Sequence, residues 1–405
     1  MFEQTGRSTI PERQGLADLS RHNRALIIRT LRDHGPLPRY RLADITGLSR
    51  AATSNLVDVL LSDGRLVEST DDDPARVRGR PVAINPVFAS VTGLELTNDG
   101  HIRGVVLNAE GLPIQTIDTG PPPVGSPEIV VEALATAVRL ASSHSADRAP
   151  MRAVGVAVPG TVDVAAGVVD WLNLSQNWFD VPLAALLEER TGLPATVDWR
   201  AYTATLAEVR FGAGREGTHV LCLYLGEGIG MGIAEHGTML SGAGNQAGSI
   251  AHLRVVSSGG PRCHCGMQGC LWAVASIPAI LHRIRDGLEA GVLSSLLSVE
   301  EVTFAEVLHA ARLNDRLSEE VLEEVAGYVG VAIATCAHVL NPDVVVISGP
   351  LAAGADLLQA TVERVTRRHT FPWLRPRPEI RFSQLGVYAA ARGAATMALD
   401  RLLGV

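Results

Sequence analysis

HVLCLYLGEGIGMGIAEHGTML, residues 219–240, decides the architecture: an apolar strand, a glycine-rich turn and a second strand. The same style recurs on both sides of it. MRAVGVAVPGTVDVAAGVVDW (151–171) opens on a buried apolar strand that ends at Pro159-Gly160. VAIATCAHVLNPDVVVISGP (331–350) is a helix, a strand and a Gly-Pro turn. Upstream, VTGLELTNDGHIRGVVLNAEGLPI (91–114) gives strands joined by tight turns at Asn98-Asp99-Gly100 and Glu110-Gly111. The helical stretch EIVVEALATAVRLASSH (128–144) follows. Strands alternating with helices, with glycines at the strand ends, predict two α/β lobes around a cleft. A ligand in such a fold sits beyond the carboxyl ends of the strands, between the lobes.

Downstream of the second hairpin, residues 263–270 read CHCGMQGC, so three of the chain's five cysteines fall within eight positions. Clustered cysteines argue against a disulfide framework. Thiolates at this density fit Zn²⁺, which takes four tetrahedral sulfur or nitrogen ligands; unliganded thiols are the alternative. Cys263, Cys265 and Cys270 supply three, and His252, in GSIAHLRV, is the nearest suitable nitrogen. His264 sits between two of the cysteines and is expected to point away. Cys222 and Cys336 lie in apolar segments and read as core. A filled Cys₃His site is structural, pinning residues 246–272 against the cleft.

The first ninety residues have a different texture. NRALIIRTLRD (23–33) carries an amphipathic stripe of Leu26, Ile27 and Leu31, with Ile28 off it, and His34-Gly35-Pro36 ends the helix. Leu42, Ala43 and Ile45 mark a second short helix, and Gly47 a turn. Ser49 caps a third, whose Ala52, Leu56, Val59 and Leu60 are expected to face the core. This is a helix-turn-helix pattern. Its reader would present Ser49, Arg50, Thr53, Ser54 and Asn55 to a major groove. RLVEST and PVAINP flank DDDPARVRGR as a β-wing, where Arg76, Arg78 and Arg80 can neutralise phosphates. Asp71, Asp72 and Asp73 would repel phosphate, so the wing tip is expected to point away from the backbone. The partner implied is double-stranded operator DNA.

Composition agrees with this division. The chain has 405 residues, 46 % hydrophobic, with 40 glycines, enough for two or three domains with sizeable cores. All 35 basic residues are arginine, and the formal charge is −8. Residues 1–86 carry a net +2 and the remainder −10. An arginine-rich front on an acidic body suits a nucleic-acid module joined to something else. The N-terminus lacks the apolar run of a secretory signal, and no uninterrupted apolar run reaches membrane-span length, so a cytoplasmic protein with no membrane partner is expected.

The segments GAGNQAGSIAH and CHCGMQGC together resemble the signature of the ROK family: repressors, open reading frames and sugar kinases. The resemblance runs from about Arg21 to Leu403 and places His252, Cys263, Cys265 and Cys270 on the family's zinc-ligand positions. GLSRAATSNLVDVLLSDGRLVE and GRPVAINP resemble the regulator branch, the xylose and N-acetylglucosamine repressors. The resemblance implies a winged helix-turn-helix over 1–86 and a two-lobed, actin-like, sugar kinase-like α/β body. Lobe I would span 87–198, joined by a C-terminal helix over 388–405. Lobe II would span 199–387 and hold the zinc.

The family's kinases need features that this chain alters. Their Asp-x-Gly-Gly-Thr phosphate loop becomes GLELTNDGHIRG, with Glu95, Thr97 and Asn98 in that region. Their Asn-Asp-Ala-Asn stretch becomes VDWRAYTATLAE, placing Trp199 and Arg200 at the Asn and catalytic Asp positions. LGEGIGMG carries Glu227 where a small hydroxyl is usual. Two sugar-gripping glutamates become Ser249 and Trp272, while Asn173 and His252 remain. These read as three independent losses, giving a pseudokinase without phosphotransfer. The ligand pocket, Asn173, Trp199, Arg200, Ser249, His252 and Trp272, is then open to two readings. It suits another effector, anionic or partly apolar, with Arg200 as counter-charge; or it has decayed, filled by Trp199 and Trp272. A plain sugar effector comes third. The function expected is a DNA-binding repressor acting as a homodimer or homotetramer. The alternatives are a ligand-independent regulator and a residual ATP-dependent sugar kinase.

Overall fold

The computed structural model of the protein describes residues 16–69, 80–120, 126–145, 149–172, 178–296 and 302–405. Arg76, Arg78, Asp71, Asp72, Asp73 and Asn173 lie outside them. The chain divides into two compact units: residues 1–89 with 108–110 and 399–405, and residues 90–107 with 111–398.

The first unit runs α1 (Leu16–His34), β1 (Leu37–Pro38), α2 (Arg39–Thr46), α3 (Arg50–Ser62), β2 (Leu66–Glu68) and β3 (Pro81–Ile84). Gly47 stops α2 in the left-handed region, at φ 70°, and its N–H closes on the Ala43 carbonyl. Two residues later the Ser49 hydroxyl accepts from Ala52 N–H and starts α3. The sheet has the order β1-β3-β2, with β2 and β3 antiparallel as the base of the wing. Ile28, off the expected stripe, is as buried as Ile27, because α1 packs against α2 and α3 as well as β3. Arg32 forms an ion pair with Asp400 in this unit.

The face of α3 differs from expectation. Thr53, Val57 and Leu60 are buried, and Val59 is 45 % exposed. Two stripes of identical i, i+4, i+7 spacing compete on this helix: Ala52-Leu56-Val59 and Thr53-Val57-Leu60. The packed structure buries the second, one position on, about 100° around the helix.

The second unit begins β4 (Ser90–Leu96), β5 (Ile102–Asn108), β6 (Pro113–Asp118), α4 (Pro127–Ser145), β7 (Met151–Val158), β8 (Gly160–Asp163), β9 (Val168–Leu172), β10 (Phe179–Val181), α5 (Leu183–Thr191), β11 (Ala195–Trp199) and α6 (Arg200–Phe211). It continues with β12 (His219–Leu225), β13 (Ile229–Glu235), β14 (Thr238–Met239), α7 (Leu271–Ala275), α8 (Ile277–Glu289), α9 (Phe304–Arg312), α10 (Arg316–Leu340), β15 (Val344–Ser348), α11 (Ala355–His369), β16 (Glu379–Phe382) and the larger part of α12 (Ala389–Leu403), whose residues from 399 on belong to the first unit.

Two five-stranded sheets organise it, β11-β7-β4-β5-β6 and β14-β13-β12-β15-β16. In each, parallel strands continue into an antiparallel hairpin, here β5-β6 and β12-β13. Two separate cores result. Leu94, Leu134, Val156, Trp178 and Val197 belong to one; Leu223, Ile280, Val325, Ile333 and Val345 to the other. Full burial of such a side chain is worth about 1.5–3 kcal/mol, so each sheet has its own reason to stay folded. α10 is the described helix long and apolar enough to cross a membrane, and its apolar face lies in the second core. α12 presses onto the first sheet through glycine: a Cβ on Gly93 would stand 2.0 Å from the Ala391 carbonyl oxygen, and one on Gly155 2.0 Å from that of Ala394. The carboxyl ends of β11 and β12 open on the cleft that holds the candidate site.

Candidate functional site

On α3, Arg50 and Asn55 are exposed and Ser54 half-buried. Ser49 is spent on its cap. Thr53, expected among the readers, is fully buried, and its hydroxyl has no partner. It is therefore a core residue, placed there by the stripe that wins the packing. Arg39 went unnoticed in the sequence. From the first position of α2 it donates to the Ser54 hydroxyl at 2.8 Å and pairs with Asp58 at 2.7 Å. It thereby ties the two helices of the motif together and orients the exposed side of α3. Arg80 is exposed and pairs with Glu68 across the wing at 3.0 Å.

The cleft of the second unit is built on the junction of β11 and α6. Arg200 is the first residue of α6, where the helix dipole disfavours a cation. It is nonetheless buried. Its Nη1 lies 3.6 Å from the Glu95 carboxylate, its Nη2 donates to Asn98 Oδ1 at 2.6 Å, and its guanidinium stacks on the Tyr224 ring at 4.6 Å. Tyr224 in turn donates to Glu95 at 3.4 Å. Burial holds the Glu95 carboxyl above its ordinary value, and Arg200 opposes that rise without cancelling it. Burial also pushes the Tyr224 phenol up.

Arg200 is thus not an open counter-charge for an anionic ligand, as the sequence suggested. Glu95 already answers it. The substitutions at 95 and 200 are one compensated pair, not two independent losses, since each buried charge is tolerable only with the other.

Trp199 lies against Gly230, where a Cβ would meet the indole at 2.9 Å. Trp272 donates from Nε1 to the Glu227 carbonyl at 2.9 Å, which fixes the glycine-rich turn. Neither tryptophan closes the pocket. With Trp171 and Ser249 they line a cavity of about 300 Å³, at the lower end of the range for small-molecule sites. Behind them, Asp198 is buried, accepting from Trp199 N–H at 2.7 Å and from Asn245 Nδ2 at 3.3 Å. Burial pushes its carboxyl up to about 7, against the pull of these two hydrogen bonds. Trp171, Tyr224 and the Asp198–Asn245 tie carried no local signal in the sequence, because each depends on segments far apart in the chain.

The loop after Asn245 leads to the sulfur cluster. The ligand atoms of His252, Cys263, Cys265 and Cys270 all lie within 4.8 Å of one another. The Cys265 and Cys270 sulfurs are 3.7 Å apart, and Cys263 Sγ is 3.5 Å from His252 Nδ1. A tetrahedron with metal–sulfur bonds of about 2.3 Å and metal–nitrogen bonds of about 2.0 Å has edges of about 3.8 and 3.5 Å, so the donors fit zinc in spacing as well as kind. Cys263 N–H to Met267 O at 2.8 Å and Leu271 N–H to Leu253 O at 2.9 Å hold the turns that converge them. His264 is outside this group of four but stays beside it: its ring stacks edge-on against Trp272, centroids 4.5 Å apart, and its Nδ1 lies 3.9 Å from Cys263 Sγ. Cys222 and Cys336 are buried in the cores.

Comparison with known proteins matches residues 99–401 to the ROK family. A putative xylose repressor from Caldicellulosiruptor sp. is 28 % identical over 387 residues, 94 % of this chain and 96 % of its own length. The glucokinase of Thermotoga maritima is 33 % identical over 256 residues, 62 % of this chain and 80 % of its own. The crystal structure of a ROK family transcriptional regulator, a homologue of the E. coli MLC protein, superposes with a TM-score of 0.83 at 23 % identity, covering 95 % of this chain and 97 % of that one. The chain belongs to the ROK family.

Proposed function

We propose that this chain is a one-component transcriptional repressor whose winged helix binds operator DNA and whose ROK body senses a small molecule without phosphorylating it. The observation that carries this reading is the occupant of the first position of α6. Where the resemblance assigns a proton acceptor, Arg200 is buried and bound to Glu95 and Asn98. A guanidinium cannot serve as a general base near neutral pH. The relative that matches 94 % of the chain is a putative repressor, while the glucokinase match covers 62 %. The 300 Å³ cavity favours a ligand-responsive regulator over a ligand-independent one.

The protein acts in the cytoplasm as a homodimer or homotetramer, because one winged helix reads too few base pairs for a specific site. Arg50, Ser54 and Asn55 on α3, with Arg76, Arg78 and Arg80 on the wing, contact the duplex. The body's zinc is bound by His252, Cys263, Cys265 and Cys270 and is structural.

The test has two arms. Binding to palindromic duplexes from around the protein's own gene, followed against salt, should give a steep linear dependence of log affinity on log salt. Arg80→Ala, on the wing, should weaken all duplexes alike and lower that slope by about 1, whereas Arg50→Ala, on the reading helix, should relax the sequence preference. Absence of any sequence preference at moderate salt would remove the regulator. In the second arm, ATP turnover with a panel of hexoses should stay at background; clear phosphorylation would restore the kinase.

A further inference from the structure

The cleft's charges and faces specify a class of effector. Among the described residues that border the cleft are one guanidinium, Arg200, and one carboxylate, Glu227; Glu95, behind Arg200, is also close enough to bias it. Glu95 and Asn98 already hold Arg200, so the floor offers an anion no uncompensated positive charge. A phosphate or carboxylate entering here would lose its water shell and meet Glu227.

A polyol is poorly served on this face. Each buried hydroxyl needs a partner, and three of the bordering polar groups are already engaged. Trp272 Nε1 donates to the Glu227 carbonyl, Ser249 Oγ to the Gln246 carbonyl, and Asn98 Oδ1 accepts from Arg200.

Flat apolar surface makes up most of the lining. Trp171, Trp199 and Trp272 all border the cavity. Two of them are held rigidly, Trp199 against Gly230 and Trp272 by its hydrogen bond. Indole faces attract planar rings and cations. Arg200 Nη1 is buried behind this surface, 3.6 Å from the Glu95 carboxylate, and the one carboxylate among the described lining residues is that of Glu227.

From these, we infer that the cleft binds a small planar heteroaromatic ligand, neutral or cationic, stacked on the tryptophan faces beside the Glu227 carboxylate. The inference rests on the regulator reading only in calling this ligand an effector.

The probes are adenine, nicotinamide and tryptamine, set against indole-3-acetate, glucose and glucose 6-phosphate, each with the full-length protein. Two readouts are followed: melting temperature, and intrinsic fluorescence, since three of the chain's five tryptophans line the cleft. At least one of the first three should quench the fluorescence and raise the melting temperature, by roughly 5 °C at a hundredfold excess over Kd. Ser249→Phe, which adds a ring from an exposed position at the cavity mouth, should abolish both effects. Trp272→Ala should weaken binding at least tenfold.

Tighter binding of glucose, glucose 6-phosphate or indole-3-acetate would overturn the assignment. So would silence from all six compounds, or a shift that survives Ser249→Phe. Duplex binding by the unliganded protein is measured separately. Its failure would count against the regulator, and a failure of the probes would count against the ligand class.

Discussion

The sulfur cluster and the charged floor of the cleft belong to one unit, and they answer the same problem in opposite ways. Each gathers groups that are costly to bury. The cluster draws its donors from one short stretch, residues 252–270, and local turns bring them together. The floor draws Glu95 from β4, Arg200 from α6 and Tyr224 from β12, and no local turn links any two. On the proposed zinc reading the cluster depends on an ion from solution, whereas the floor depends on the correct stacking of two sheets. Chemistry that a metal dictates leaves little freedom in residue type. A buried ion pair, by contrast, can be reversed, moved or replaced so long as the charges still balance.

Removing a ligand from the cluster should produce the larger effect. Cys265 is exposed, so Cys265→Ser disturbs no packing. Its cost would come from the metal alone. We expect loss of stoichiometric zinc and a destabilisation of about 5 kcal/mol or more, given that structural zinc contributes its binding energy to folding. Metal analysis and chemical denaturation check both, and full zinc retention would exclude this ligand set.

In the floor, Glu95→Leu should cost about 3–5 kcal/mol, because Arg200 is left charged and buried. Adding Arg200→Met should recover most of that loss. A double variant no more stable than Glu95→Leu alone would show that the two charges are not a pair, and the contrast with the cluster would fail.

The same contrast explains what could be read from the sequence. The gathering of His252 with three cysteines, the Ser49 cap, the Gly47 turn and the β12-β13 hairpin are local patterns, and each is present as expected. Where two local patterns are equivalent, reading fails. Thr53 and Val59 were exchanged between core and surface because both stripes of α3 have helical spacing. Where the answer lies across the fold, no local pattern exists. Glu95 and Arg200 each looked like a separate defect, and only the packed sheets reveal them as partners. Arg39 was invisible for the same reason, since its contacts to Ser54 and Asp58 join one helix to the next.

A smaller effect is expected at the seam between the two regions. Asp198, at the end of β11, accepts from Asn245, whose loop runs on to His252. Burial raises the Asp198 pKa to about 7 in the folded chain, against about 3.9 when unfolded. Between those values the folded state holds a proton that the unfolded state has released. Stability therefore falls as pH rises through this window and levels off above about 7. Asp198→Asn keeps the shape and removes the titration. Urea midpoints at pH 5 and pH 7.5 should differ less in this variant than in the wild type, with the variant gaining at the higher pH. An unchanged difference would mean that Asp198 is ionised in the folded protein at both values. The seam would then carry a buried charge balanced by Asn245 and the Trp199 amide alone, a third solution beside the metal and the ion pair.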